Sequence, residues 1–267
     1  QEHTGRYFNH NVHSVRVLDD MVNWNISLQT LDGILCHNGE LELKEYRPCG
    51  MSTFVEYDKK VEACYVDENA IGELIPCTLE GCVMRICDII AYLGKDRQDA
   101  MRLNLLKESP FTAGAIGTSN GEIINNFSVN IIENSYGKDY LKMDEEYFDA
   151  LRQAKKENYE MIYNNKSLND LYENEIRPMF GELYEELLRQ AESGDKSSVF
   201  YRHHMAYMEK NNFYVKSHVR KPYAEQEKNQ LVVDYLASMT DDYFIALYHY
   251  LFPKGKHDVK FVGYFDL

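Results

Sequence analysis

The stretch Met84–Asp96, MRICDIIAYLGKD, decides the fold class of this chain. Thr78 stands where a helix N-cap is expected, and apolar residues then recur at helical spacing. The run Cys82–Leu93 is mostly apolar, which predicts a helix that is buried nearly all round. Gly94 is expected to interrupt this helix, and Asp96–Leu106 continues in helical register.

Three polar side chains of this stretch share one helical stripe. Asp88, Tyr92 and Asp96 are spaced i, i+4 and i+8. Asp88 lies among isoleucines. Burying a carboxylate costs roughly several kcal/mol unless a cation or hydrogen-bond donors compensate it. Arg85, three residues earlier, is a candidate partner. Spacing alone favours an Arg85–Asp88 salt bridge over a metal ligand.

Helical periodicity dominates on both sides of this stretch, and the predicted fold class is all-α. Ser27 and Ser52 are predicted N-caps, Gly39 is a predicted helix end, and Ser109-Pro110 is a predicted break. Residues 40–50 are expected to form a loop, and only Val259–Phe265 has the pattern of a short strand. The predicted helices cover residues 12–24, 28–39, 52–65, 78–106, 118–135, 144–162, 167–192, 196–211 and 225–251.

Composition excludes several classes of function. The formal net charge is −14 and the pI is about 5.1, so duplex nucleic acid is not expected as a partner. No apolar run approaches the roughly 20 residues that span a bilayer, so no membrane association is expected. The six cysteines form no CxxC pair, which indicates free thiols in a reducing cytoplasm.

Histidine pairs are the remaining candidates for chemistry. His10 and His13 open a helix, where capping and surface polarity are the simplest interpretation. His37 and Glu40 are three residues apart, but a helix end followed by a loop usually leaves such a pair solvated. Neighbouring residues of a helix point apart, so His203-His204 cannot chelate one ion. None of these patterns assigns a function by itself.

The motifs resemble a known family. Arg85–Ala100, RICDIIAYLGKDRQDA, resembles the last motif of bacterial dGTPase-like HD phosphohydrolases, and residues 8–18, FNHNVHSVRVL, resemble the motif that follows their His-Asp dyad. Residues 31–40, LDGILCHNGE, and 234–243, DYLASMTDDY, resemble further stretches of the family. Together these segments follow the expected order along almost the whole chain.

The resemblance implies an HD-type helical fold and the hydrolysis of deoxynucleoside triphosphates to deoxynucleoside and triphosphate. It implies that Asp88 is the last aspartate ligand of a divalent metal ion such as Mn²⁺ or Mg²⁺. Tyr92 resembles the tyrosine that packs on the deoxyribose, and Asp96 resembles the aspartate that binds the sugar 3′-hydroxyl. His10 resembles a catalytic histidine that faces the phosphates. The expected partners are the nucleotide and further copies of the chain.

The sequence departs from the family pattern in one respect: no adjacent His-Asp pair in it fits the dyad. The adjacent pair His257-Asp258 follows all the motifs and is out of order for the dyad. The other metal ligands would precede the first motif, so the expectation is a C-terminal fragment that is inactive alone. Residues 1–108 would be the end of the HD core, and residues 109–267 a family-specific helical region.

Two alternatives stay open at this point. The chain is either part of a triphosphohydrolase or a non-catalytic helical module that binds nucleotides or mediates oligomerisation. A different HD phosphohydrolase, acting on cyclic or pyrophosphorylated nucleotides, is disfavoured because the Asp88–Tyr92–Asp96 stripe matches a deoxyribose-binding pattern.

Overall fold

The computed structural model describes residues 5–22, 24–38, 42–50, 53–106, 111–211 and 222–259. Within them the chain is helical apart from two short strands, so the predicted all-α class is confirmed. None of the described helices is both long enough and apolar enough to cross a membrane. The chain divides into two compact units. The α4 unit comprises Arg6–Val15 and Asn25–Asn165, and the C-terminal unit comprises Gln1–Gly5, Arg16–Trp24 and Lys166–Leu267.

The first part of the chain, up to the long central helix, contains short elements. They are α1 (His10–Arg16), a π-helical turn (Val17–Met21), α2 (Leu28–Leu35), β1 (Glu45–Tyr46), α3 (Phe54–Val66), a 3₁₀ turn (Glu68–Glu73) and α4 (Leu79–Arg102). The elements that follow in the α4 unit are α5 (Asn120–Ser135), β2 (Leu141–Lys142), α6 (Glu145–Asn158) and a π-helical turn (Tyr159–Tyr163), whereas the Val17–Met21 turn belongs to the C-terminal unit.

The remaining elements belong to the C-terminal unit. They are α7 (Lys166–Leu171), a π-helical turn (Tyr172–Ile176), α8 (Arg177–Ser193), a π-helical turn (Phe200–Met205), α9 (Ala206–Asn211), a 3₁₀ turn (Tyr223–Glu225), α10 (Lys228–Ala237) and α11 (Asp241–Leu251). The predicted domain boundary at residues 108 and 109 was drawn by family role, and it stays a prediction.

Side-chain caps set several helix starts. Ser27 and Thr78 accept backbone N–H groups of Thr30 and Gly81, so both predicted N-caps are confirmed. The predicted cap at Ser52 is wrong, because α3 begins after Thr53, which forms a capping box with Glu56. Ser52 itself lies outside the described residues.

Several predicted boundaries differ from the structure. The helix predicted over 28–39 ends at Leu35, and the predicted end at Gly39 lies outside the described residues. The helix predicted over 225–251 is two helices, because Thr240 accepts the N–H of Tyr243 and starts α11 anew. The predicted 40–50 loop contains β1, which pairs antiparallel with β2. The tail strand predicted at Val259–Phe265 lies almost wholly outside the described residues.

The core of the α4 unit forms where α4, α5 and α6 meet. Its buried residues include Ile86, Ile89 and Leu93 of α4 with Phe127 of α5 and Leu151 of α6. Each such side chain contributes roughly 1.5–3 kcal/mol by leaving water. A second cluster joins α1, α2 and α3.

Gly94 is a packing contact and not the predicted interruption, since α4 runs through it. A Cβ added at Gly94 would lie 2.7 Å from Cα of Asn120, the first residue of α5. The missing side chain therefore lets the start of α5 approach α4 closely.

In the C-terminal unit, α8, α10 and α11 share one apolar core that includes Met179, Leu183, Leu187, Leu231 and Tyr248. The unit also buries one charged network. Asp234 is fully buried and accepts two hydrogen bonds from the Arg16 guanidinium, 2.7 Å to Nε and 2.6 Å to Nη2. Tyr223 donates to the same carboxylate at 3.0 Å, and its Oη lies 2.7 Å from Nε2 of His204.

Gly94→Ala is expected to lower the free energy of unfolding by about 1–3 kcal/mol, because its Cβ would overlap the backbone of Asn120. The matched control is Gly181→Ala within α8, where an added Cβ meets nothing within 4 Å. That change is expected to be neutral or to stabilise by up to ~1 kcal/mol. Urea denaturation of both variants checks the prediction, and equal effects would contradict it.

Burial lowers the pKa of His204 to about 4, so the folded state keeps this imidazole neutral while the unfolded state protonates it near pH 6.5. The unfolded state thus binds more protons between these pKa values, and stability falls as the pH drops through this window. Between pH 7 and pH 5 this group lowers the free energy of unfolding by roughly 2 kcal/mol. His204→Gln is expected to remove that part of the pH dependence in urea titrations. An unchanged slope would show that His204 does not carry it.

Candidate functional site

The long helix α4 presents the predicted polar stripe at the margin of its buried face. Asp88, Tyr92 and Asp96 lie on successive turns, and each is partly exposed. The expectation that α4 is buried nearly all round is wrong: Val83 and Met84 are 44% and 52% exposed. The stripe is therefore accessible from solvent, as a ligand-binding surface requires.

Asp88 is a carboxylate without an internal partner. It forms no hydrogen bond or ion pair with the residues that the structure describes. The Arg85–Asp88 salt bridge that spacing favoured is absent, and the buried guanidinium of Arg85 instead donates to the carbonyl of Leu74. Partial exposure explains how this carboxylate is tolerated without a partner.

Asp96 has a partner that sequence reasoning missed. Tyr163, in the π-helical turn after α6, donates its hydroxyl to Oδ2 of Asp96. Burial and this carboxylate both raise the pKa of Tyr163, so its hydroxyl keeps the proton that it donates. The ring of Tyr163 meets Tyr159 edge-on, with centroids 5.2 Å apart. The two residues are more than sixty positions from Asp96, and no local pattern links them.

Tyr92 lies among acidic groups. Burial raises the pKa of Tyr92, and so do the nearby Tyr159, Glu42, Asp88 and Asp96. Lys155 of α6 forms an ion pair with Glu42, one of these acidic residues. An acidic surface of this kind repels a triphosphate unless a cation intervenes, and it attracts divalent cations.

The described residues do not complete a metal centre. No three His, Cys, Asp or Glu side chains in the described ranges are grouped so that they could hold an ion. Asp88 is suited to be one ligand, since its carboxylate is accessible and has no partner in this part of the chain. One carboxylate does not form a closed coordination shell.

His10 is the first residue of α1 and is exposed. Its ring meets that of His37 edge-on, with centroids 5.2 Å apart. His37 contacts the carbonyl of Ile34 and the amide Nδ2 of Asn11, which fixes its ring beside α1. The structure thus places two imidazoles together at the start of α1, and sequence reasoning had assigned no role to His37.

Four further histidines, His203, His204, His249 and His257, have partners within the C-terminal unit. His203 and His204 contact different tyrosines, Tyr243 and Tyr223, in agreement with the argument that they cannot share an ion. His257 lies 3.2 Å from a carboxylate oxygen of Glu175, and Asp258 lies 3.3 Å from His249. The only adjacent His-Asp pair of the sequence is therefore held by ion-pair contacts of its own unit.

The absence of partners at Asp88 gives a stability test. Asp88→Asn is expected to change the free energy of unfolding by less than about 0.5 kcal/mol. Asp32→Asn is the matched comparison in the same unit, because Asp32 is buried and accepts from Lys60 Nζ at 2.7 Å and the N–H of Cys77 at 2.6 Å. Weakening the buried Lys60–Asp32 ion pair is expected to lower the free energy of unfolding by roughly 3 kcal/mol. Chemical denaturation distinguishes the two carboxylates, and a large loss in Asp88→Asn would indicate a structural role.

Comparison with known proteins identifies relatives. A family described as phosphohydrolase-associated domain matches residues 141–250. The chain is 27% identical over 181 residues to a deoxyguanosinetriphosphate triphosphohydrolase-like protein of Caldanaerobacter subterraneus subsp. tengcongensis, an alignment that covers 66% of this chain and 47% of the relative. Proteins with the same description from Clostridium perfringens strain SM101 and Clostridium tetani are 26% and 25% identical, with 88% and 92% of this chain covered.

These alignments cover 58% and 60% of the two clostridial relatives, so the chain spans about half to three fifths of the length of the proteins it matches. No solved structure matches significantly. The resemblance predicted from the motifs is confirmed at modest identity over most of the chain. The all-α architecture agrees with an HD-type helical phosphohydrolase.

Proposed function

We propose that this chain contributes part of the active site of a metal-dependent deoxynucleoside triphosphate triphosphohydrolase. The reaction is dNTP plus water to deoxynucleoside plus inorganic triphosphate. The observation that carries the proposal is the α4 stripe, where Asp88, Tyr92 and Asp96 are accessible on successive turns. The similarity to proteins described as deoxyguanosinetriphosphate triphosphohydrolase-like supports it.

Asp88 is proposed as one ligand of a divalent metal ion, Mn²⁺ or Mg²⁺. Its carboxylate is accessible, and no described side chain competes for it. A bound ion would supply Lewis-acid activation at a phosphate oxygen. The other ligands are proposed to come from outside the described residues, because none of those residues completes a three-ligand group with Asp88.

Tyr92 and Asp96 are proposed to bind the deoxyribose. An aromatic ring packed against C2′ leaves little room for a hydroxyl there, which favours deoxynucleotides. Asp96 accepts the 3′-hydroxyl, since a carboxylate is a strong acceptor. The Tyr163 hydroxyl holds Oδ2 of Asp96, so the orientation of the carboxylate is set before the sugar arrives. Tyr163 is thus proposed as a positioning residue.

His10 is proposed to face the phosphates as the catalytic histidine. It is exposed at the start of α1, and an imidazole there can donate to a phosphate oxygen or transfer a proton. His37 supports its ring from the side. We also propose a cytoplasmic location, where deoxynucleotides are made and used, and assembly with further copies of the chain.

The chain alone is proposed to bind nucleotide without turnover. Its only adjacent His-Asp pair, His257-Asp258, contacts Glu175 and His249 in the C-terminal unit and does not supply the dyad. A second candidate function is a non-catalytic nucleotide-binding or oligomerisation module. The lack of a three-ligand group among the described residues favours it.

The test measures triphosphate release and nucleotide binding separately. The four dNTPs are incubated with the chain and Mn²⁺ or Mg²⁺, and release is compared with a protein-free control. We expect dGTP binding by calorimetry, preference for dGTP over GTP, and no release by the chain alone. Asp96→Asn is expected to weaken dGTP binding roughly tenfold, and Tyr92→Ala to abolish the preference for the deoxy sugar.

Asp99→Asn is the matched control, because Asp99 lies on the same helix and pairs only with the exposed Lys95 in the described structure. It is expected to bind like wild type. Equal loss in Asp96→Asn and Asp99→Asn would point to a general charge effect and contradict the assigned sugar site. Release by the unmodified chain would contradict the proposed inactivity. No binding of any nucleotide would contradict the proposed nucleotide site, and of the two candidate functions only the oligomerisation module would remain.

A further inference from the structure

A cavity of about 440 Å³ lies on a different face of α4 from the stripe, between the C-terminal half of α4 and the start of α5. Gly94, Arg97, Arg102, Phe111, Ser119 and Asn120 contribute to its lining. Its volume is within the range of pockets that hold small molecules and far exceeds the ~30 Å³ of a single water.

Arg97 supplies a buried cation with one unused edge. The Arg97 side chain is 3% exposed, and one face of its guanidinium packs on the ring of Phe111, with Cζ 3.9 Å from the ring centroid. Nε donates to Asn158, and Nη2 donates to Glu157 and the carbonyl of Ala154. Nη1 is buried and has no hydrogen-bond partner in the part of the chain that the structure describes. A guanidinium that is neutralised on one edge only is ready to bind an acceptor with the other.

Asn120 adds an unpaired acceptor at the same place. Its Oδ1 is buried, and no described residue forms a hydrogen bond with it. The close approach of α5 to α4 at Gly94 fixes this atom against α4. Two residues that line the cavity thus each carry a buried polar atom, one donor and one acceptor, without a hydrogen-bond partner among the described residues. Such atoms favour a ligand that carries both kinds of group.

The surroundings of the cavity favour an anion. Asn120 and Gly121 begin α5, so their N–H groups have no intrahelical acceptor. Arg102 is exposed and forms no ion pair with the described residues. Two carboxylates of the described neighbourhood are engaged: Glu157 accepts from Arg97, and Glu122 accepts from the backbone N–H groups of Thr118 and Ser119.

We propose that this cavity binds the phosphate group of a small phosphorylated ligand. Arg97 Nη1 and Arg102 bind its oxygens, the start of α5 faces its negative charge, and Asn120 Oδ1 accepts a hydroxyl of the phosphate or of its ester. The site does not involve Asp88, Tyr92 or Asp96. It stands whether or not the chain serves the proposed hydrolysis.

The experiment titrates the full chain with inorganic phosphate and with deoxyguanosine monophosphate, followed by calorimetry at low and physiological salt. Arg102→Gln and Asn120→Asp are each expected to weaken phosphate binding roughly tenfold. Both variants should fold, because Arg102 is exposed and an acidic residue suits the first turn of α5.

The controls match these changes in charge. Arg152→Gln removes another exposed arginine, and Asn125→Asp adds a negative charge farther along α5. Both should bind phosphate like wild type. Monophosphate binding that is tighter than phosphate binding, and that Arg102→Gln also weakens, assigns an ester as the ligand of the cavity, and equal binding assigns free phosphate. No phosphate binding by wild type at millimolar concentration, or equal weakening in controls and test variants, would overturn the proposal.

Discussion

The rotation of α4 about its own axis determines where the candidate functional groups of this helix lie. Ile86, Ile89 and Leu93, on one face of the helix, are buried against α5 and α6. The burial of these side chains stabilises this orientation of the helix by roughly several kcal/mol. Side chains about 100° from that face are left at its margin. The same packing therefore presents the stripe from Asp88 to Asp96 on one side and opens the cavity at Arg97 on another.

The aspartates of this chain differ in how far their surroundings satisfy the carboxylate. Asp32 and Asp234 are fully buried, and each is surrounded by donors that make ionisation tolerable. Asp88 has no such donors among the described residues, although it lies in the middle of the longest helix. A carboxylate that regular structure holds in place, and that has no partner among the described residues, can bind a ligand, as proposed for Asp88.

Sequence patterns predicted the helices well and their long-range partners poorly. The caps at Ser27 and Thr78 were predictable because a cap depends on residues within one turn. Local spacing also placed the α4 stripe, but it predicted an Arg85–Asp88 pair, whereas the nearest acceptor for Arg85 comes from a separate segment. Tyr163 and its bond to Asp96 had no local signal. The break at Thr240 and the two-residue strands were too short to alter the periodicity around them.

The pairing of Glu45 with Lys142 joins segments that are about a hundred residues apart in the chain. Closing a loop of that length costs roughly 4 kcal/mol of chain entropy, so this contact forms only after much of the unit is collapsed. At ribosomal rates of about 5–20 residues per second, the second segment emerges many seconds after the first. During synthesis β1 therefore stays unpaired until β2 has been made, and the residues around Tyr46 are buried only after the later segments of the unit have emerged.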